Sequence, residues 1–403
     1  MFGWEFPPHN SGGLGVACFG LVRALARLGN KVTFVLPKKV GLKSDFCDII
    51  SPEDSFDDHI DIKEIDSPLQ AYMTSEEYLR TAGKNGIYGS TLFEEVERYG
   101  RRAASIVRSQ KFDVIHAHDW LSFKAGMTAK RVSKKPLVAH VHATEFDRTG
   151  GRNVNQRVYD VEREGLHTAD KIIAVSHFTK NMVHHHYGVS HDKTAVVHNG
   201  IDASEYNHFA AVAPMLYRLK QKGNGIVLFV GRITLQKGPD YFVRLAERVL
   251  QKNKKVYFVV SGSGDMEGKI LQEVAYRGLS KYFIFTGFLR GEELNQVYRA
   301  ADVTVMSSVS EPFGIIPLES ILNGAPVLLS KQAGVGEILN HALKSDFWDI
   351  DDMADKVLAV LNYGSLKNEL MLHSTKEARN ATWDKAAEKC LEIYQRLLSP
   401  AAV

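Results

Sequence analysis

Cysteine is scarce: three in 403 residues, Cys18, Cys47 and Cys390, odd in number and far apart. They form no metal or redox motif, which fits a reducing compartment. Long apolar runs are also missing; none approaches the roughly 18 residues of a spanning helix. No basic-then-apolar leader opens the chain, so a cytoplasmic protein is expected. Nor is there an excess of one charge: 50 Lys and Arg against 47 Asp and Glu give a net +3. That is too little to argue for a nucleic-acid partner. There is no repeat of fixed period and no low-complexity segment. What remains is an ordinary globular composition, 44% hydrophobic and 24% charged, in a chain longer than one core sustains. Two domains are expected.

The opening "MFGWEFPP" reads as the end of a short strand. After "SGGLG" the apolar stripe Val16, Phe19, Leu21, Val22, Leu25 and Leu28 predicts a helix closed by Gly29-Asn30. "KVTFVLP" follows as a strand. Helices and strands then alternate through "DVIHAH", "PLVAHVHA", "KIIAVS" and "KTAVVHNG". The polar stretch 203–224 breaks the rhythm and predicts a domain junction. Alternation restarts with "IVLFVG", "KVYFVVSG", "YFIFTG", "DVTVMSS" and "PVLLS", with a helix expected over "GVGEILNHAL". Strands alternating with helices imply mostly parallel sheets covered on both faces. Ligands of such sheets bind beyond the carboxyl ends of the strands.

The residues after the strands therefore carry the functional reading. Gly12 and Gly13 of "SGGLG" let backbone N–H groups approach an anion at a helix N-terminus; a tight turn would use the same residues. Arg232 and Lys237 of "FVGRITLQKG" follow the second domain's first strand and suit a diphosphate, one bidentately and one as a point charge. "EPFGIIPLE" puts Glu311 in a loop and Glu319 in the first turn of a helix opened by Pro317. Between them, Phe313, Gly314, Ile315 and Ile316 bring backbone N–H groups to that helix end. An apolar stretch does not take two carboxylates cheaply. A carboxylate here commonly grips sugar or ribose hydroxyls, its charge offset by the helix end and the two cations.

A glutamate, seven residues and a second glutamate, within "SEPFGIIPLE", resembles the signature of retaining GT-B glycosyltransferases. So do, in the family's order, "EFPPHNSGGLG", "HAHDW", "HVHATEFDRTGG", "ADKIIAVS", "VVHNGID", "FVGRITLQKG" and a final tryptophan-bearing helix. The resemblance is to the family 4 and 5, group 1 and glycogen or starch synthase branch. It implies an α/β GT-B fold: two doubly wound Rossmann-like domains facing across a cleft. The acceptor-side domain would be 1–205, with the C-terminal helix 384–403 packing back on it, and the donor domain 222–383. It also implies roles. Arg232 and Lys237 would hold the diphosphate as leaving group, and Glu319 the ribose. Glu311 and the backbone after it would hold the sugar. His142 would stand near the reacting sugar, and Asn199 near sugar or phosphates. Glu5 and Asp119 would line the acceptor side. The implied reaction is hexosyl transfer, α-glucosyl by preference, from a nucleotide sugar to a carbohydrate acceptor, with the leaving phosphate taking the acceptor's proton. No metal and no other cofactor is implied.

Departures narrow this. Asn10 stands where ADP-glucose enzymes of the branch carry lysine, which puts UDP-glucose slightly ahead of ADP-glucose. Base reading is expected from backbone around Thr286–Leu289. Rival readings are a lipid or cell-surface polysaccharide glycosyltransferase, a nucleotide-sugar epimerase, a glycosidase using Glu311 and Glu319, and a non-catalytic sugar-nucleotide sensor. His116 and His118 lie two apart on one strand, as do His140 and His142 on another, and a meeting of the two strands would raise a zinc hydrolase, though the remaining ligand motif of such enzymes is absent. Asp349 and Asp351 form an Asp-x-Asp that a helix cap explains better than a metal. The basic faces around Arg98, Arg101, Arg102, Arg108, Lys130, Arg131, Lys134 and Lys135 suit peripheral contact with an anionic membrane or an ordinary solvated surface.

Overall fold

A computed structural model describes residues 1–7, 12–37, 44–50, 92–206 and 211–399. Among these, twelve strands form: β1 (Thr33–Val35), β2 (Asp48–Ile50), β3 (Ile115–His118), β4 (Leu137–Val141), β5 (Lys171–Ala174), β6 (Thr194–Val196), β7 (Gly225–Val230), β8 (Val256–Ser261), β9 (Phe283–Gly287), β10 (Val303–Met306), β11 (Val327–Ser330) and β12 (Leu343–Ser345). Every pairing is parallel. The chain divides into two compact units. The first holds Met1–Glu145, Asn153–Gly200 and the stretch from Trp383 onward; the second holds Phe146–Arg152 and Ile201–Thr382.

In the first unit β1 pairs β2, and β3 to β6 pair in sequence order. Phe2 bridges Val35 on one side and Ala117 on the other, so the opening residues act as a minimal strand joining the two sets. Read from Phe2, the order is 3-2-1-4-5-6-7, with the topological switch between Phe2 and β3. The helix Gly13–Arg27 and the last helix, Trp383–Leu398, pack together in this unit. Gly20 makes that possible: a Cβ there would stand 2.2 Å from Trp383 Cε2.

In the second unit the order is β12-β11-β10-β7-β8-β9, the same doubly wound pattern with its switch between β7 and β10. Alternate residues of β7 feed opposite layers. Val227 and Phe229 join Phe242, Leu245 and Phe258; Ile226 and Leu228 join Leu216, Val297 and Tyr298. A strand covered on both faces must be a continuous apolar run, which is how "GIVLFV" reads. The stretch 203–224 belongs to this unit, and its helix Pro214–Gln221 buries Leu216.

The helix expected over "GVGEILNHAL" does not form. Gly334–Glu337 make a single 3-10 turn and the chain extends into β12. The Gly334 and Val335 N–H groups bond the carbonyls of Glu311 and Phe313, at 2.9 and 2.8 Å. The stretch is thereby tied to the loop after β10, and two glycines weaken any helix beyond it. Sequence reading missed the helix Gly364–Asn380, while Ile350–Asn362 forms where a helix was expected after the Asp-x-Asp.

Candidate active site

The switch point of the second unit gathers residues that are distant in sequence. β7 and β10 are neighbours, so the loops beyond their carboxyl ends meet. Val309 N–H bonds the Gln236 carbonyl at 2.9 Å, and Ser307 Oγ bonds the Gly238 carbonyl at 2.8 Å. Arg232 Nη2 donates to Gln236 Oε1 at 3.2 Å. Lys237 Nζ donates to Glu311 Oε2 at 2.5 Å, with the side chains 14% and 8% exposed. Ser308 Oγ reaches the same oxygen at 3.3 Å. Lys237 and Glu311 were assigned separately from the sequence, to phosphate and to sugar; here they form one ion pair. An ammonium has three donors, so one bond to Glu311 leaves two. Gly314 turns the chain at φ 95, with its Cβ position 3.0 Å from Glu311 Cγ. Phe313 is buried, and Ile315 and Ile316 are half-buried at the start of the helix Ile316–Leu322.

Glu319, on the first turn of that helix, differs from expectation. Its hydrogen-bond partners are tyrosine hydroxyls rather than the two cations. Tyr298 Oη donates to Oε2 at 2.9 Å, and Tyr206 Oη stands 3.5 Å from Oε1. Burial pushes this carboxyl above its ordinary value, while the hydroxyls pull it back. Burial in turn holds Tyr298 and Tyr206 protonated, as donors. At the edge strand, Gly262 N–H bonds the Gly287 carbonyl at 2.9 Å. The turn Thr286–Leu289 leaves Phe288 exposed.

The first unit holds a separate cluster. β3 and β4 lie side by side with His118 opposite His140, so the two His-x-His pairs meet on one face. His116 and His118 stack at 4.4 Å between ring centroids, and His140 and His142 at 4.1 Å. His118 Nδ1 and His142 Nε2 are 3.0 Å apart, and His116 Nε2 and His140 Nδ1 3.1 Å. All four are buried and therefore neutral: burial takes His142 down to about 3 and the others well below 6.5. A neutral His142 ring can take part in hydrogen bonds but carries no charge.

Asp119 begins the helix Asp119–Ser133 at φ 58, a costly conformation for a residue with a side chain. Its Oδ1 accepts the N–H groups of His142 at 2.6 Å and Ala143 at 3.3 Å. Asp119 thus fixes the turn that presents His142. Glu5 is also buried, with Oε2 only 2.9 Å from where a Cβ on Gly12 would lie. Gly12 caps the helix Gly13–Arg27, which has no acidic residue in its first turn. Gly13 is exposed and Asn199 is buried beyond β6. Asn10, on which the donor preference rests, lies outside the described residues.

Two family descriptions match the chain. Residues 11–205 match "Glycosyltransferase Family 4", and residues 218–380 match "Glycosyl transferases group 1". An uncharacterized glycosyltransferase of Methanocaldococcus jannaschii is 28% identical over 98% of this chain and 97% of its own length. The chain is a GT-B glycosyltransferase. A glycogen synthase of Mycobacterium tuberculosis is 26% identical to this glycosyltransferase, over 84% of this chain and 78% of the relative. The structure of the Anabaena protein HepE in complex with UDP-glucose shares the fold, with a TM-score of 0.69 and 16% identity over 98% of each chain.

Several structural elements of the glycosyltransferase were silent in sequence. Tyr298, near the end of the helix Gly291–Ala300, packs with Leu216, Leu228 and Val297 and reads as core. Ser310, the neighbour of Glu311, donates to Asp147 Oδ1 at 2.6 Å with both side chains buried. Asp349 does cap the helix Ile350–Asn362, accepting Asp352 N–H at 3.1 Å, and Asp351 pairs with Arg248. The Asp-x-Asp therefore has a structural use. Of the basic residues, Arg98 pairs with Glu95 and Lys130 with Asp170. Among the described residues, no helix is long and apolar enough to cross a membrane.

Proposed function

We propose that the enzyme is a retaining hexosyltransferase that moves a glucosyl unit from a nucleoside diphosphate glucose, UDP ahead of ADP, to a carbohydrate acceptor. The observation that carries this reading is the second unit's switch point, where Arg232, the Lys237–Glu311 pair and the helix bearing Glu319 converge. Cleaving a sugar–phosphate bond puts negative charge on the diphosphate. Arg232 and the two remaining donors of Lys237 offset it in a preorganised way. Glu311, held by Lys237 and Ser308, accepts hydrogen bonds from sugar hydroxyls, with backbone from Phe313 to Ile316 beside it. Glu319, held by Tyr298, accepts from the ribose. His142 and Asn199 act toward the sugar, Gly12 and Gly13 toward the phosphates, and Glu5 and Asp119 belong to the acceptor side, Asp119 through the His142 turn. No metal enters the step; the leaving phosphate takes the acceptor's proton. The glycogen synthase relative and the UDP-glucose complex of a protein with the same fold support this choice.

The test is nucleotide release from UDP-, ADP- and GDP-sugars, with glycogen, maltose and a lipid extract as acceptors. Release from UDP-glucose that requires glycogen or maltose, with the anomeric configuration retained, is the expected result. Release that requires the lipid extract reassigns the acceptor. Conversion of the donor with no acceptor would make the enzyme an epimerase.

A further inference from the structure

The histidine cluster carries more unmet hydrogen-bonding capacity than hexosyl transfer uses. His118 Nε2, His140 Nε2 and His142 Nδ1 are buried without a hydrogen-bond partner, and their residues are 0%, 2% and 7% exposed. Unpartnered buried polar atoms are rare in native proteins. Cys18, a fully buried free thiol on the helix Gly13–Arg27, stands beside them. One donor atom each from Cys18, His118 and His142 lies within 4.8 Å of the other two. A second triad, His116, His118 and His140, meets the same distance. His116, however, has both nitrogens engaged, one with Tyr394 Oη at 2.5 Å and one with His140. In the Cys18 set the nitrogens that face each other, His118 Nδ1 and His142 Nε2, are 3.0 Å apart, and the second nitrogen of each ring has no partner. The Asp119 and Glu5 carboxylates act on the Cys18 thiol through space, a field that favours a cation.

We propose that Cys18, His118 and His142 bind zinc(II), and that zinc held there takes His142 away from the sugar and stops transfer. A thiolate with two imidazoles selects a borderline transition metal over magnesium or calcium. On binding, Cys18 releases its thiol proton to solvent. The loss of transfer rests on the proposed role of His142; metal binding does not.

Cobalt(II) is the probe, titrated anaerobically into reduced, chelator-treated enzyme. One equivalent is expected to raise a thiolate-to-cobalt charge-transfer band that zinc abolishes. The band is lost in Cys18→Ser, kept in Cys47→Ser, and altered in His118→Gln. One equivalent of zinc is expected to lower transfer at least tenfold in the parent and to leave Cys18→Ser unaffected. Cobalt binding without a thiolate band, or no binding at one equivalent, overturns the site. Because that spectrum is read on the parent enzyme without donor or acceptor, neither a poorly folded variant nor a wrong substrate assignment can mimic its failure. A zinc-loaded enzyme with full transfer would overturn the inhibitory role alone.

Discussion

Replacing Lys237 by alanine strands the Glu311 carboxylate. That side chain is 8% exposed, Lys237 Nζ is 2.5 Å away, and the other side chain bonded to the same oxygen is the Ser308 hydroxyl at 3.3 Å. Removing one member of a buried pair costs about 3–5 kcal/mol, because the remaining charge stays desolvated. For a domain of ordinary size, each kcal/mol lowers the melting temperature by about 2–4 °C. Lys237→Ala should therefore melt roughly 6–20 °C below the parent. Turnover should fall roughly 10²–10³-fold, the loss expected when one donor to a developing anion disappears. The double variant Lys237→Met with Glu311→Gln has no stranded charge and should recover at least half of the lost stability while remaining inactive. Scanning calorimetry and nucleotide release read the two effects separately. A single variant that melts within about 2 °C of the parent and turns over within about threefold of it would refute the reasoning.

The remaining predictions concern other side chains. Burial raises the Glu319 pKa above its ordinary 4.5, so the folded state holds the carboxyl's proton more tightly than the unfolded chain. The resulting stability is present at low pH and lost as pH rises through the raised folded value. Glu319→Gln should therefore gain in melting temperature relative to the parent from pH 4 to pH 7, and parallel melting curves would contradict this. Gly20→Val should destabilise the first unit by at least the roughly 1–3 kcal/mol of overpacking, since its Cβ would meet the Trp383 ring at 2.2 Å; urea unfolding measures it. At Asp119, asparagine keeps an acceptor and tolerates φ 58, so Asp119→Asn should stay near the parent in urea. Asp119→Ala should lose about 1–2 kcal/mol from backbone strain alone, and also lower turnover by releasing the His142 turn; equal behaviour of the two variants would contradict the assignment.

The strands were legible because both-face burial demands uninterrupted apolar runs, as in β7 and β8. The switch-point loops were legible because glycines, prolines and charges follow those runs. Partnership was not. Whether Lys237 meets Glu311 depends on β7 lying beside β10, a sheet order that no local pattern encodes. Tyr298 reads as a core residue because its ring is one; the role lies in a hydroxyl that reaches Glu319. Asp119 reads as an acidic residue near a ligand, and the left-handed backbone that binds it to the His142 turn leaves no mark in composition or spacing. The four histidines showed their shared faces through two-residue spacing, but not that their rings would stack.

Calorimetric titration of UDP-glucose into the parent, Arg232→Ala and Glu319→Gln tests the donor assignment at its root. Saturable binding by the parent, weakened at least tenfold in each variant, is the predicted result. Affinity unchanged by both substitutions, or no binding of any nucleoside diphosphate sugar, would contradict it.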